Sequence, residues 1–485
     1  MRRNGEPDRI VIIGGGISGL SSAFYLLREA ESRGLKLQVT IVDPMERVGG
    51  KINTLHRDGF VIERGPDSFL ARKKPIIDLA MELGIEQELV GTNPAAKKTY
   101  ILHRRKLHPM PQGLVLGIPT EIAPFAKTEL LTWGAKLRAM LDFVKPARKE
   151  TGDESLGSFL TRRLGPEVME RVAEPLLAGI YAGDLNKLSL QATFPQFGAA
   201  ERKHGSLIRG MRANRSKTPA IAADVDLLPS SARTAFLTFK GGLATMVNAL
   251  ERSLQASGAE FRLGRKAVAL EGRPDQPDEG RYRVVLDDGA SIEAEGVVIT
   301  TPAFHAASLL APHINTDAIK AVRYVSVANV VMAFDKASLG YRFDGSGFVI
   351  PRSEGTSITA CTWTSSKWLH SSPGDKVLLR CYVGRAGDEE VVDLPDERLK
   401  EVVRTDIRSI MGITAEPLFT EITRLHHSMP QYPVGHLQQI GSMREELSSA
   451  MPGVWVTGAA FDGVGLPDCI RQGKEAAVSL LSGWE

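Results

Sequence analysis

Residues 10–51 read IVIIGGGISGLSSAFYLLREAESRGLKLQVTIVDPMERVGGK. Ile10 to Ile13 form a short, β-branched apolar run, the pattern of a buried parallel strand. Gly14, Gly16 and Gly19 follow in G-x-G-x-x-G spacing, with Ile17 and Ser18 inside the motif. Ser21 to Glu31 carries helical apolar spacing, and Leu37 to Val42 reads as a second strand ending on Asp43. Glycines at these positions permit a tight turn and let backbone N–H groups approach a pyrophosphate at the positive end of the helix. Asp43 is placed to accept hydrogen bonds from an adenosine ribose. Glycine spacing alone is weak evidence; strand, loop, helix, strand and acid in that order predict a dinucleotide cradle.

The next residues choose the dinucleotide. Gly49 and Gly50 follow the ribose acid, flanked by Arg47 and Lys51. A basic side chain over the phosphates suits a cofactor that stays bound through turnover, which FAD does and NAD does not. The plain alternative is a turn with solvated charges, and the position directly after Asp43 disfavours it.

Bulk properties agree with an intracellular flavoprotein. A chain of 485 residues is too long for one growing core, so two or three domains are expected. The net charge of +3 makes no general case for nucleic acid. Three cysteines without metal-ligand spacing suit a reducing, cytoplasmic setting and predict no metal. Met1-Arg2-Arg3 precedes an apolar run that Asp8 interrupts, so a secretion signal is not expected. No stretch has the length needed to span a bilayer.

Further along, Phe60 to Glu63 reads as a strand entering a turn at Gly65-Pro66, and Ile76 to Leu83 as a helix. Residues 129–143, 158–164 and 166–177 carry helical patterns, as do 243–254. Strands are expected at 281–286 and 297–300, with antiparallel strands at 323–334, 347–350, 356–363 and 376–383. Val454 to Val456 returns to a glycine-rich turn, Gly463-Val464-Gly465-Leu466-Pro467-Asp468, before a helix over 470–481. Pro467 and Asp468 suit a helix start. Such an N-terminus, aimed at the N1–C2=O edge of a flavin, stabilises negative charge there.

Several stretches are narrower signals: ERGPDSFLARKK at 63–74, LHPMPQG at 107–113, EPLLAGIYAGD at 174–184, LSLQATFPQF at 188–197, TACTWTSSKW at 359–368, MPQYPVGH at 429–436 and GVGLPDCIRQGK at 463–474. With them the chain resembles, almost end to end, the oxygen-dependent porphyrinogen oxidases of Gram-positive bacteria, within the amine-oxidase-like flavoproteins. The resemblance implies an α/β fold: a discontinuous, Rossmann-like FAD domain (1–58, 233–308, 437–485), an α+β substrate domain with a mostly antiparallel sheet (59–105, 309–436) and a helical insertion (106–232). It implies FAD contacts at Gly14, Gly16, Ile17, Ser18, Gly19, Asp43, Arg47, Lys51, Gly65, Pro66, Asp67, Ser68, Val268, Val464, Gly465 and Leu466. Close relatives carry a tryptophan where this chain has Leu425, so an aromatic contact from that position is in doubt.

The activity implied is removal of six electrons and six protons from coproporphyrinogen III, giving coproporphyrin III while three O2 become H2O2. Protoporphyrinogen IX is the alternative substrate, and a flavin amine oxidase the more distant one. Flavin performs the redox step, so no dedicated side-chain base is required. His426 and His427 are candidates better read as structural. Arg72 and Lys73 are expected at the substrate entrance, Lys73 facing a propionate, with Gly179, Ile180 and Tyr181 as pocket wall; Tyr181 equally suits a core position. A second basic run (Arg202, Lys203, His204, Arg209, Arg212, Arg215, Lys217) serves the mouth or a solvated face equally well. The basic text tilts the reading toward the four-carboxylate substrate. Residues 97–108 beside 114–119 could touch an anionic membrane, but a pocket wall is the favoured reading, and any membrane contact is expected to be peripheral. Transient contact with the next enzyme of the haem pathway stays open.

Overall fold

A computed structural model describes residues 6–150, 152–215, 228–273 and 280–483. Its first layer is a five-stranded, all-parallel sheet. The strand order is Glu260–Leu263, Leu37–Asp43, Asp8–Ile13, Gly296–Ile299 and Val454–Val456. Apolar residues alternate between its faces: Ile10 and Ile12 join one core with the opening helix, while Val11 and Ile13 join another beneath Ala303–Leu310. Burial on both sides explains the unbroken apolar run with which the chain announces itself.

The opening helix, Ile17–Ser32, packs along the closing helix, Leu466–Ser482. Gly473 permits this approach, since a Cβ there would stand 2.9 Å from the Ser18 carbonyl oxygen. The two ends of the chain therefore meet under one glycine-rich edge of the sheet. The closing helix starts earlier than the expected 470, with Pro467 in its first turn and Gly465 in extended backbone before it.

A seven-stranded, mostly antiparallel sheet forms the second layer, ordered Phe419–Gln431, Arg323–Asp335, Lys376–Val383, Ile358–Trp363, Gly345–Val349, Lys98–His103 and Lys106–Pro109. The basic run 97–108 is thus a hairpin at the sheet edge. Arg104 and Arg105 turn it with positive φ, and Glu354 accepts from both of their backbone N–H groups at 3.0 and 3.3 Å. The residues 114–119 form a small hairpin whose Ile118 is buried in the helical core. The apolar residues of both segments are buried or half-buried.

Helices of residues 122–215 make the third body around Phe159, Phe197 and Tyr181. The helix expected over 129–143 begins at Trp133, because the Thr132 hydroxyl accepts from the Ala135 N–H and caps it. The helix expected over 166–177 is broken by a π turn, Met169–Ala173, before Glu174–Tyr181. Periodicity cannot foresee one inserted residue, and such turns often sit beside functional segments. Of the second basic run, Arg202, Lys203, Arg209, Arg212 and Arg215 are exposed on this body, Arg215 pairs with Glu121 at 2.5 Å, and Lys217 lies outside the described residues.

Candidate functional site

The cradle is built as its spacing requires. Gly14 leaves the first strand at φ +116, and a Cβ there would meet Thr300 Oγ1 at 2.4 Å. Gly19 sits against the Gly14 carbonyl oxygen, 1.8 Å from where its Cβ would be. Gly16 differs: its φ is −74 and a Cβ would meet nothing within 4 Å. The fold itself leaves room for a side chain there, so the space belongs to whatever binds. No side chain caps the helix that begins with Ile17 and Ser18. Its N-terminal donors are available to an anion.

Asp43 closes the second strand, buried, with Oδ2 accepting from the Gly15 N–H at 2.6 Å and Oδ1 from the Met45 N–H at 2.8 Å. Each oxygen keeps a further lone pair for a ribose hydroxyl. Arg47 is folded back: its guanidinium donates to the carbonyls of Val48 and Ile52, both at 3.1 Å, and of Gly50 at 2.8 Å. It braces the second glycine turn, and Gly49 bridges back to Gly16. Val268 is half exposed in the strand Ala267–Gly272, which follows a turn whose Arg265 N–H donates to the Asp43 carbonyl at 3.0 Å.

Lys51 reaches inward to donate to the Ser428 carbonyl. Part of its side chain is exposed, and desolvation by the protein around it lowers its pKa. Gly65 packs so closely on the Lys51 carbonyl oxygen that a Cβ would stand 1.8 Å away. Pro66, Asp67 and Ser68 continue this loop; the Ser68 hydroxyl donates to Asp67 Oδ1 at 2.8 Å. Asp67 lies 3.6 Å from Lys367 Nζ and 3.9 Å from Arg380 Nη1. Burial opposes its charge, yet the two cations and the Ser68 bond hold its pKa down, at about 2. Glu63, accepting from the Leu243 N–H at 2.6 Å and from Thr54 at 3.0 Å, is pushed up to about 7 by burial.

Two of the residues holding this loop lie outside the quoted motifs. Arg380, 4% exposed, donates to the Gly65 carbonyl, while its Nε and Nη1 have no partner among the described residues. A cavity of about 20 Å3, the size of a single water, lies beside it, lined by Glu63, Asp67, Trp368 and His370. Asn329 donates to the Arg64 carbonyl at 3.0 Å. Both strands are apolar runs broken by one inward polar side chain, and that break was the available signal.

From the closing end, Val464 packs on the helical core and Leu466 on the core of the parallel sheet. No side chain caps the helix after Gly465. Tyr432, fully buried, holds this turn: its hydroxyl accepts from the Gly463 N–H at 3.0 Å and donates to the Ala459 carbonyl at 2.5 Å. Its ring lies edge-on to Tyr181 at 5.9 Å and stacked on His436 at 4.4 Å. Tyr181 is itself 5% exposed, a core residue beneath the wall, whereas Gly179 and Ile180 are exposed above it. Lys73 Nζ bonds Asp468 Oδ1 at 2.6 Å and Oδ2 at 2.5 Å, and Arg72 beside it is exposed.

Leu425 is half buried opposite Val327, next to a bulge in its strand. His426 and His427 lie inside that strand instead of after it. Both are exposed; His426 faces Asp393 at 3.6 Å, and the His427 backbone takes φ +45 at the bulge. Among the described residues no group of three or more His, Cys, Asp or Glu could hold a metal ion.

Two uncapped helix starts facing one glycine edge, a buried acid at the strand end and an unfilled approach at Gly16 suit a dinucleotide whose ring system ends at the closing helix. The flavin-containing amine oxidoreductase family matches residues 17–481, and the chain belongs to it. Its cofactor is accordingly FAD, and the protein is an oxidoreductase. More particularly, it is 46% identical over 98% of both chains to coproporphyrinogen III oxidase of Bacillus subtilis. It is 41% identical to the Staphylococcus aureus enzyme of that name, over 98% of this chain and 99% of the other. Human protoporphyrinogen oxidase is 30% identical over 97% and 98%. Among solved structures, an Exiguobacterium protein provisionally assigned as a protoporphyrinogen oxidase superposes with a TM-score of 0.85 at 39% identity, over 98% and 99% of the two chains. Putrescine oxidase, at 14% identity and a TM-score of 0.68 over 98% and 99%, shares the fold.

Proposed function

We propose that this chain oxidises coproporphyrinogen III to coproporphyrin III in haem biosynthesis, with O2 as acceptor. The observation that carries this is the end-to-end likeness, at 46%, to an enzyme of that name. FAD supplies the chemistry: it accepts hydride equivalents from the porphyrinogen and passes them to O2, so six hydrogens leave the macrocycle and three H2O2 form.

The chain positions and encloses. Gly14 to Gly19, with the uncapped helix start, receive the pyrophosphate, and Asp43 receives the ribose. Gly65 to Ser68 and Val464 to Leu466 would hold the ring system, and the backbone donors of the uncapped helix start after Gly465 would favour negative charge on it. Lys51, whose carbonyl packs on Gly65 and whose ammonium donates to the Ser428 carbonyl, adds positive charge beside that loop. Gly179 and Ile180 leave a low wall for a flat macrocycle, and Lys73 and Arg72 stand at its entrance. No side-chain base is needed, because pyrrole N–H protons can leave to water as the ring aromatises.

Anaerobic addition of coproporphyrinogen III is expected to bleach the flavin absorbance. Admitting air should restore the band with porphyrin fluorescence and H2O2, and turnover on protoporphyrinogen IX should be slower. Bleaching by a primary amine but not by either porphyrinogen would overturn this reading.

The same proposal places the protein in the cytoplasm, a setting suited to three free, buried cysteines. Among the described residues no helix is long and apolar enough to cross a membrane. Any membrane contact is therefore peripheral, and its best support is a stripe on Trp133–Met140 and the turn after it. Trp133, Leu137, Leu141 and Val144 are 70, 68, 51 and 78% exposed, at spacings that share one helix face. Trp133→Glu with Leu137→Glu should abolish any sedimentation with anionic vesicles while leaving turnover in solution unchanged. Sedimentation unaffected by the pair would remove the stripe from this role.

A further inference from the structure

Lys73, expected to meet a substrate propionate, is already engaged. Its ammonium spans both oxygens of Asp468 at 2.6 and 2.5 Å, joining the loop after Gly65 to the first turn of the closing helix. Lys73 is 39% exposed and Asp468 19%, so the pair is reachable from the entrance. The carboxylate folds over the glycine turn: a Cβ on Gly463 would stand 2.7 Å from Asp468 Cβ, and one on Gly465 2.8 Å from Oδ2. Tyr181 and Cys469 lie within its electrostatic reach, and Lys51 within that of Cys469. Arg72 has no ion pair or hydrogen bond among the described residues.

We propose that Asp468 occupies the propionate subsite in the resting protein and determines specificity by exchange. A substrate carboxylate displaces it from Lys73, so only a ligand bearing a carboxylate at that point can take the lysine. Three observations make the exchange feasible. The displaced Asp468 stays in the first turn of a helix, where a negative charge is favoured. Lys51 remains nearby as a second cation. Arg72 adds a free cation on the entering side. A ligand without a carboxylate leaves the pair closed and gains nothing from it. This inference rests on the porphyrinogen reading above.

The test uses the flavin-loaded protein, the product coproporphyrin III and its tetramethyl ester, with affinities from fluorescence titration. Asp468→Asn removes the competitor but keeps the shape, so the free acid should bind about ten-fold tighter, the scale of one charge-assisted hydrogen bond, and the ester unchanged. Lys73→Met should erase the preference for acid over ester. Asp468→Asn that weakens the acid, or shifts acid and ester equally, overturns the inference, as does Lys73→Met that retains the preference. Lys73→Met decides the matter by itself should Asp468→Asn not fold. Wild-type protein that binds neither ligand and oxidises neither porphyrinogen would instead fail the porphyrinogen reading, and this inference with it.

Discussion

Gly16→Ala should fold normally and purify without colour. At φ −74 alanine is unstrained there, and its methyl group would meet nothing within 4 Å. Apoprotein melting should therefore match wild type to within about 0.5 kcal/mol, as for a substitution that touches nothing. The methyl group nevertheless fills the approach to the uncapped helix start, where backbone N–H groups must come close to a pyrophosphate. Flavin absorbance per protein is expected to fall more than ten-fold, with turnover falling in proportion. Gly19→Ala provides the contrast. Its methyl group would lie 1.8 Å from the Gly14 carbonyl oxygen, so strand and helix must separate; overpacking of this kind costs about 1–3 kcal/mol or more. That variant should lose both flavin and stability. Gly16→Ala as yellow as the parent would remove the cradle as the cofactor site.

Arg380→Met should be the most damaging substitution away from the cradle. It deletes the bond to the Gly65 carbonyl and leaves Asp67 buried with Lys367 as its one nearby cation. Breaking a buried pair by removing one partner typically costs about 3–5 kcal/mol, read as a lower urea midpoint at unchanged slope. The acid limb of stability carries a second signature. Asp67 titrates at about 2 in the folded protein, below the ordinary aspartate value of roughly 3.9. A depressed acid stabilises the fold above its unfolded pKa, and the contribution is lost as pH falls toward 2. Without Arg380 the folded value rises, so acid unfolding and flavin release should begin at higher pH. Arg380→Lys should fall between, keeping a charge near Asp67 but not both contacts. Wild-type midpoint, acid limb and flavin content in Arg380→Met would show that the arginine is incidental.

What the sequence reveals follows the range of the forces involved. The cradle was readable because glycine spacing, apolar alternation and the terminal Asp43 act within a few dozen residues. The closing lip was readable for the same reason, Pro467 and Asp468 being local helix-start signals. The fold class came from the resemblance, and the antiparallel strands from alternation, with Lys376–Val383 found at its full extent. Arg380 was invisible as a functional residue because its partner, Gly65, is 315 positions away. Tyr432 lay inside a quoted motif, but only the folded chain shows its hydroxyl joining Gly463 to Ala459. The bonds of the Arg47 guanidinium to the carbonyls of Val48, Gly50 and Ile52 were not legible, because they depend on how the glycine turn folds back. The hairpin at 97–108 was legible as a basic run but not as a sheet edge, because its neighbour Gly345–Val349 lies far away in sequence.

The strand order of the parallel sheet also has a consequence for synthesis. Its middle strand, Asp8–Ile13, emerges from the ribosome early, but one neighbour, Gly296–Ile299, follows hundreds of codons later, and the edge strand Val454–Val456 later still. A nascent chain can thus display its first glycine loop long before anything covers that loop's other side. Loading of the prosthetic group must then wait until Val454–Val456 and the helix after it have been made, and it fastens together segments synthesised far apart in time.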